Sequence, residues 1–395
     1  MKRLLFGAAA AGGLGAAAVE ALYHRQPGNA VDFTDGEWSA TRVSADHFHL
    51  NGMVTVHNPQ PKREVMLYEI TPRIVVLSDA GVDEITVHTQ VLSHDKDNPQ
   101  RPDGYWVCYV AKPAKYHVGH KFEVNVEIKG PAAALDAAYA AYADIRVDTY
   151  GFEGLRPRYH PVVLPLRYPD AGSEAGAREA AAWRDAGRSA VLPVRTHLLN
   201  PLDDPVAVIA RYASPYARPG DIVTIGETPL AVMQGRMRDP RNAPPGWFAS
   251  RFCQFMSGEG SLGTSGGMQA LVDQIGVPRT FAALAGGSLA KVARQDGWFY
   301  RIGGPQSRLV DDVTGTLPPY DRLIVLGPRD ADTVCRRVTE QTGLLAAVVD
   351  ANNLGRVDLV GSSSGVDPSL VEDALHSNPA GNGAETTPIV LIRPH

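Results

Sequence analysis

The sequence predicts an antiparallel β-sandwich-like domain followed by an α/β (α+β) domain, with a short hydrophobic segment ahead of both. Three observations carry this reading. Residues 31–165 hold β-branched-rich runs cut at regular intervals by turn residues, the texture of a sandwich. Residues 322–350 run from an apolar stretch through a helical stretch into a second apolar stretch. Met1-Lys2-Arg3 precedes an Ala/Gly-rich apolar run over 4–19. The corresponding boundaries are 1–25, 30–168, a linker at 169–190, and 191–395.

The N-terminal run is read two ways. The small residues Ala16-Ala17-Ala18 suit a cleaved signal, and extension through Ala21-Leu22-Tyr23 suits an uncleaved membrane anchor. Lys2 and Arg3 on one side and His24 and Arg25 on the other leave its orientation open.

Strands are expected over 48–58, 65–77, 84–92, 105–112 and 121–129, with turns at 58–61, 78–81 and 98–104. A helix over 132–143 and a last strand near 162–166 complete the domain. His47 and His49 share a strand face and His117 and His120 flank a turn; both pairs read as solvated or hydrogen-bonded structural histidines. This domain carries no catalytic constellation and reads as a spacer or binding module. The stretch 170–189, rich in Ala, Gly, Glu and Arg, reads as a polar, partly helical connector.

The second domain opens at 191–196, continues with a helix over 205–210 and a strand over 221–225, and is broken by Gly226-Glu227-Thr228-Pro229. Residues 257–267 (SGEGSLGTSGG) form a glycine-rich connector able to aim N–H groups at phosphate. They lack the Gly-Lys-Ser/Thr ending of a P-loop, as does the run 286–291. Lys291, Arg301 and Arg308 are cationic candidates for phosphate, and Trp298-Phe299-Tyr300 reads as core or a site wall. A buried strand over 322–327, a helix over 331–342 carrying Val334, Val338 and Thr342 on one face, and a strand over 344–349 together read as a βαβ unit. Two acidic corners frame it, Asp311-Asp312 and Asp350. Carboxylates gathered at strand ends suit a hard divalent cation; Asp in a loop also caps helices and closes turns.

From 192 to the C-terminus an ordered series resembles the coenzyme F420-0:L-glutamate ligase family. It comprises residues 192–196, Asp203-Asp204-Pro205, Pro219-Gly220-Asp221, Gly235-Arg236, Asp311-Asp312, Gly327-Pro328, Val349-Asp350 and Gly355-Arg356. The resemblance implies a ligase-like fold that joins glutamate to a small carboxylate acceptor through an acyl phosphate, with GTP or ATP as cosubstrate. It implies Mg or Mn held by Asp350 and by one of Asp311 and Asp312, both of which stand as metal candidates. It places Asp312, Asp350 and Arg356 in catalysis, and Gly235, Arg236, Gly355 and Arg308 at the nucleotide.

The chain departs from the family where two lysines and a glutamate precede the Gly-Arg; those positions are Thr228, Val232 and Gln234. The implied protein is therefore a divergent member, either a ligase or a membrane-tethered binding or scaffold protein that keeps the fold without turnover. Nucleotide use would put the second domain in the cytoplasm; an exported form goes with the cleaved signal. Monomer and homodimer both fit. With 38 Lys plus Arg against 43 Asp plus Glu, and a net charge of −5, nucleic acid is excluded as principal partner. Cys108, Cys253 and Cys335 form neither a disulfide framework nor a zinc motif.

Overall fold

The computed structural model describes residues 19–20, 28–94, 101–103, 106–169, 183–256, 261–292, 295, 297–311, 313, 317–352, 355–381 and 385–395. The apolar run, most of the connector, part of the glycine-rich stretch and Asp312 lie outside these residues.

Strands β1 (Asp32–Ser44), β2 (His47–His57), β3 (Val65–Ser78), β4 (Thr86–Ser93), β5 (Tyr109–Ala111), β6 (Gly119–Lys129), β7 (Ala138–Gly151) and β8 (Gly154–Pro165) build the first domain. They form two antiparallel four-stranded sheets, β1-β2-β6-β4 and β5-β3-β7-β8. Alternation drives the assembly. In β2, Phe48, Leu50, Val54 and Val56 point inward, and Phe122, Val124, Val126 and Ile128 of β6 meet the same core. On the outer face His47 and His49 both hydrogen-bond Glu127, the latter at 2.8 Å, whereas His120 is buried on the inner face of β6 and donates to the Val110 carbonyl at 2.7 Å.

One element departs from expectation. The helix expected over 132–143 is only α1 (Ala132–Ala137); the chain then extends as β7, paired with β3 on one side and β8 on the other. Alanine favours helices locally, but Ala140, Ala141 and Ala143 are buried where a small side chain fits a doubly covered strand. The strand expected over 105–112 shrinks to β5, and β1 supplies an edge not singled out in the sequence.

The second domain is built on a six-stranded sheet, β15-β14-β11-β16-β10-β9. Its strands are β9 (Arg184–Asp185), β10 (Ser189–Val194), β11 (Ile222–Gly226), β14 (Leu345–Ala351), β15 (Val357–Ser362) and β16 (Ile389–Pro394). The β9 edge draws residues 184–185, expected in the linker, into this domain. Helices α2 (Pro205–Tyr212) and α8 (Ala331–Thr342) cover one face, while α9 (Pro368–Leu375) covers the other. Local chemistry fixes their ends. The Asp204 side chain accepts from the Val206 and Ala207 amides at 3.0 and 3.1 Å ahead of Pro205, and Gly343 closes α8 at φ +74°.

The expected βαβ unit does not form. Its first strand is β13 (Ile324–Val325), which pairs with β12 (Met237–Arg238) in a separate two-stranded sheet. The parallel partner of β14 is instead β11. Pro328 and the preceding Pro318-Pro319 bracket a run too short to span the sheet, so its apolar residues serve a different core. That core is a helical insertion between β12 and β13: α3 (Glu227–Met233) precedes it, and α4 (Trp247–Phe252), α5 (Ser265–Ile275), α6 (Val277–Val292) and α7 (Trp298–Gly303) form it. Gly286 and Gly287 sit inside α6. A Cβ on Gly287 would come within 3.0 Å of Phe299, and Ile302 closes off Gly286 in the same way. These glycines admit α7 against α6, so the run 286–291 is a helix-packing seam and not a phosphate loop.

The two domains share an apolar cluster. Ala140, Tyr142 and Val163 of the sandwich meet Leu198, Val232, Tyr320 and Leu323. Beside it, Arg241 reaches the Asp144 carboxylate at 2.7 and 2.9 Å and lies 3.7 Å over the Tyr159 ring. Asn242 clasps the Tyr159 backbone, accepting from its N–H at 2.8 Å and donating to its carbonyl at 2.6 Å. The sandwich is therefore a wall of the second domain and more than a spacer.

Candidate functional site: an acidic cavity at the strand ends

The parallel β11/β14 ladder positions the site. Gly226 is in register with Val349, so Glu227 and Asp350 leave adjacent strands side by side at their carboxyl ends. Open α/β sheets bind ligands at this edge. A cavity of about 390 Å³ opens there, and Glu227, Thr228, Arg308, Asp311, Tyr320 and Asp350 are among its lining.

Each acid is held differently. Glu227 opens α3 and is 8% exposed, with Oε2 buried and without a hydrogen-bond partner among the described residues. Burial, then the charges of Asp311 and Asp350, push its pKa up to about 9, so it is a neutral acid at pH 7. Asp311 is pinned by an isolated backbone bridge to Val325 and accepts the Thr228 hydroxyl at 2.9 Å. Burial raises its pKa, the Thr228 hydrogen bond opposes this, and Asp350 raises it further. For Asp350 burial again leads, Asp358 adds to the rise, and Arg356 offsets part of it.

Among the described residues, three carboxyl groups thus line one cavity with one guanidinium, Arg308. Arg308 is exposed and stacks 5.4 Å from the Tyr300 ring centre, so its charge sits at the mouth. The excess of negative charge is a setting for a cation. Among the described residues, no three His, Cys, Asp or Glu side chains stand close enough to hold a metal ion by themselves. Magnesium commonly takes only one or two carboxylates and completes its shell with water and phosphate oxygens.

The other expected site residues lie elsewhere. Arg356 is 58% exposed and pairs with Asp358 at 2.6 Å, away from the cavity lining. Gly355 turns at φ +76° against the His376 ring. Gly235 ends the turn after α3 at φ +63°, and Arg236 points into protein, donating to the Gly327 carbonyl at 3.0 Å and to Gln274 and Gln306 at 3.1 Å. Arg236 is a brace between the insertion and the sheet domain. Arg301 lies 5.6 Å over Trp298, outside the lining. Lys291 falls within the span of α6.

Three lining residues carry no obvious sequence signal. Glu227 sits in a run that reads only as a strand breaker. His197 is buried, its Nε2–H donating to Asp203 at 3.0 Å while Nδ1 accepts the Tyr212 hydroxyl at 2.8 Å. That tautomer follows from the carboxylate, which can only accept. Tyr320, fully buried, donates to the Leu199 carbonyl at 2.6 Å. The network fixes the loop 196–199 that forms one side of the cavity.

Fold and site together define a two-domain protein in which an antiparallel sandwich is docked on a mixed α/β domain with an acidic cavity. Residues 32–168 match the family model described as F420-0:gamma-glutamyl ligase, N-terminal Ig-like domain, which makes the sandwich Ig-like and supports a relationship to that ligase family. The match falls on the half of the chain opposite the one that carries the sequence resemblance, so the support for that relationship is not confined to the C-terminal half. No curated protein matches the chain. Among solved structures, the GGA1 GAE domain of yeast aligns at 8% identity over 36% of this chain and 96% of its own, with TM-score 0.20. A protein from Archaeoglobus fulgidus aligns at 7% identity over 34% and 93%, with TM-score 0.18. Scores this low carry no argument.

Proposed function

We propose that the protein is a nucleotide- and metal-dependent amide-bond ligase of the F420-0:gamma-glutamyl ligase type, joining glutamate or a similar amino acid to a small carboxylate. The observation that carries this is the cavity in which Glu227, Asp311 and Asp350 converge at the ends of β11 and β14. The family match over residues 32–168 supports it.

In this reading the acceptor carboxylate attacks the terminal phosphorus of GTP or ATP and nucleoside diphosphate leaves. The amine then attacks the acyl carbon, releasing phosphate and one proton as the amide forms. Asp311 and Asp350 are the residues that would hold Mg or Mn, and the orphaned Glu227 oxygen and the hard oxygen donors fit such an ion. When bound, the ion supplies charge neutralisation on the transferring phosphoryl group. Arg308 at the mouth binds phosphate oxygens, and Thr228 holds the Asp311 carboxylate in place. Tyr320 and the sandwich behind it keep bulk water from that side of the cavity. The hydrophobic segment at 4–19 attaches the chain to a bilayer, with the ligase domain on the nucleotide-containing side.

A second reading rests on a specific observation. The two positions where the family carries lysine are Thr228, whose hydroxyl is committed to Asp311, and Val232, which is 4% exposed in the interdomain cluster. Among the described residues, no lysine lines the cavity. A membrane-tethered binding or scaffold protein would have this arrangement. Phosphate release from GTP or ATP with a panel of glutamate acceptors and Mn separates the two: turnover supports the ligase, and nucleotide binding without phosphate release supports the scaffold.

A further inference from the structure

The cavity has a second end, away from the acids. At the sheet edge where β11 and β14 finish, β16 begins and β10 finishes: Ile389 is in register with Ile225 of β11 and with Val194 of β10. The cavity follows this edge onto the loop 196–199 and the α9–β16 connection, where Leu375, Ala380 and Pro388 line it; Val349 and Val390 add to the same apolar lining. Donors here are committed within the protein. The Thr196 amide donates to the Thr386 carbonyl at 2.9 Å, and its hydroxyl to the His197 carbonyl at 2.7 Å. The Thr387 hydroxyl donates to the Ala380 carbonyl at 2.7 Å. The Gly226, Asn378 and Gly381 amides donate to the Pro388, Leu375 and Asn378 carbonyls at 3.0, 2.8 and 3.0 Å. His197 gives its ring N–H to Asp203.

Cations are equally scarce. Among the described lining residues Arg308 alone is positive, and residues 312, 314–316, 353–354 and 382–384 contain no Lys or Arg. Arg195, next to the loop 196–199 in sequence, is exposed and outside the lining, its Nε set 3.5 Å from the Glu385 carbonyl. An anionic group at this end would lose its water without gaining donors or counter-charge, and would share the cavity with Asp311 and Asp350. An uncharged group loses little and gains contact with Leu375, Val349 and Val390. On the strength of the ligase reading, in which nucleotide phosphate takes Arg308, we infer that the acceptor is a monocarboxylic acid with an uncharged, phosphate-free body. Its carboxylate meets the nucleotide at the acidic end, and its body lies along the α9–β16 connection.

The test compares two matched acids, hexanoate and 6-phosphonohexanoate, binding to the full chain by ligand-observed NMR with Mg and the β,γ-imido analogue of GTP. Hexanoate should bind about tenfold tighter or more. Ala380→Arg, which puts a guanidinium at the half-buried uncharged end, should bring the phosphonate level with hexanoate or past it. Ala380→Leu, uncharged but bulkier, should weaken hexanoate several-fold. Equal or tighter binding of the phosphonate by the parent overturns the inference, as does binding of neither acid, and this comparison decides even where a variant does not fold. A folded Ala380→Arg protein with the parent's preference overturns it too. The ligase reading is judged apart, by phosphate release from GTP or ATP with glutamate and each acid. Release with the phosphonate alone overturns the inference and keeps that reading; release with neither these acids nor the wider acceptor panel overturns both.

Discussion

Thr228 donates its hydroxyl to Oδ2 of Asp311 at 2.9 Å, tying the first turn of α3 to an acid that lies 83 residues later in the chain. This bond, with the Gly226–Val349 register, closes three carboxyl groups around one cavity. Replacing Thr228 with lysine, the residue type that the family has there, would put a cation between Asp311 and incoming phosphate. Nucleotide affinity should then rise about tenfold, the size of one charge-assisted hydrogen bond. Fluorescent nucleotide titration measures it; unchanged or weaker affinity would show that position 228 does not face phosphate.

Glu227 should make stability depend on pH. The folded protein keeps its proton up to about pH 9, while the unfolded chain releases it near 4.5. Between those values the folded state binds the additional proton, so this group's contribution to stability falls as pH rises. Glu227→Gln cannot ionise and should flatten the slope, losing on the order of 1–3 kcal/mol less than the parent between pH 6 and pH 9. Metal-free denaturant titrations at both pH values read this directly. If both proteins lose the same stability, Glu227 is not held protonated.

Tyr320→Phe should destabilise without altering the acids. It deletes the hydroxyl bonded to the Leu199 carbonyl and leaves that carbonyl buried, costing about 1–3 kcal/mol. The melting temperature should fall by several degrees. An unchanged melting temperature would mean that the cavity wall is not set by this bond.

Arg241→Ala should loosen the two domains. The substitution removes both contacts to Asp144 and the stacking on Tyr159. It also leaves buried Asp239, which accepts from Arg241 at 2.9 and 3.0 Å, without that partner. Calorimetry should resolve two unfolding transitions where the parent shows greater overlap, and a single unchanged transition would contradict the docking role.

Much of this architecture is visible in residue patterns, and the failures have physical causes. The alternation of Phe48, Leu50, Val54 and Val56 announces β2, and Val334 and Val338 at helical spacing announce α8, because in both elements burial follows backbone period. Ala138–Gly151 does not announce β7, since alanine's helical preference is overridden only by sheets that form on both sides of it. The run 322–327 looks like a sheet strand because apolarity alone does not say which core a short segment enters. Strand β16 arrives from the C-terminus between β10 and β11, a non-local pairing with no local trace. At the site, Asp311 and Asp350 stand out as acids at turn corners. Glu227 becomes conspicuous only when the parallel register sets it beside Asp350. Arg356 looks like a ligand group beside Asp350 in sequence, but the β14/β15 hairpin pairs it with Asp358 instead.

Calorimetric titration of GTP into the protein with Mn, repeated with Asp350→Asn, tests the ligase account most directly. The account predicts binding by the parent only when the metal is present, and none by the variant at equal folded content. No heat from the parent with GTP or ATP and either Mg or Mn, or equal affinity in Asp350→Asn, would contradict it.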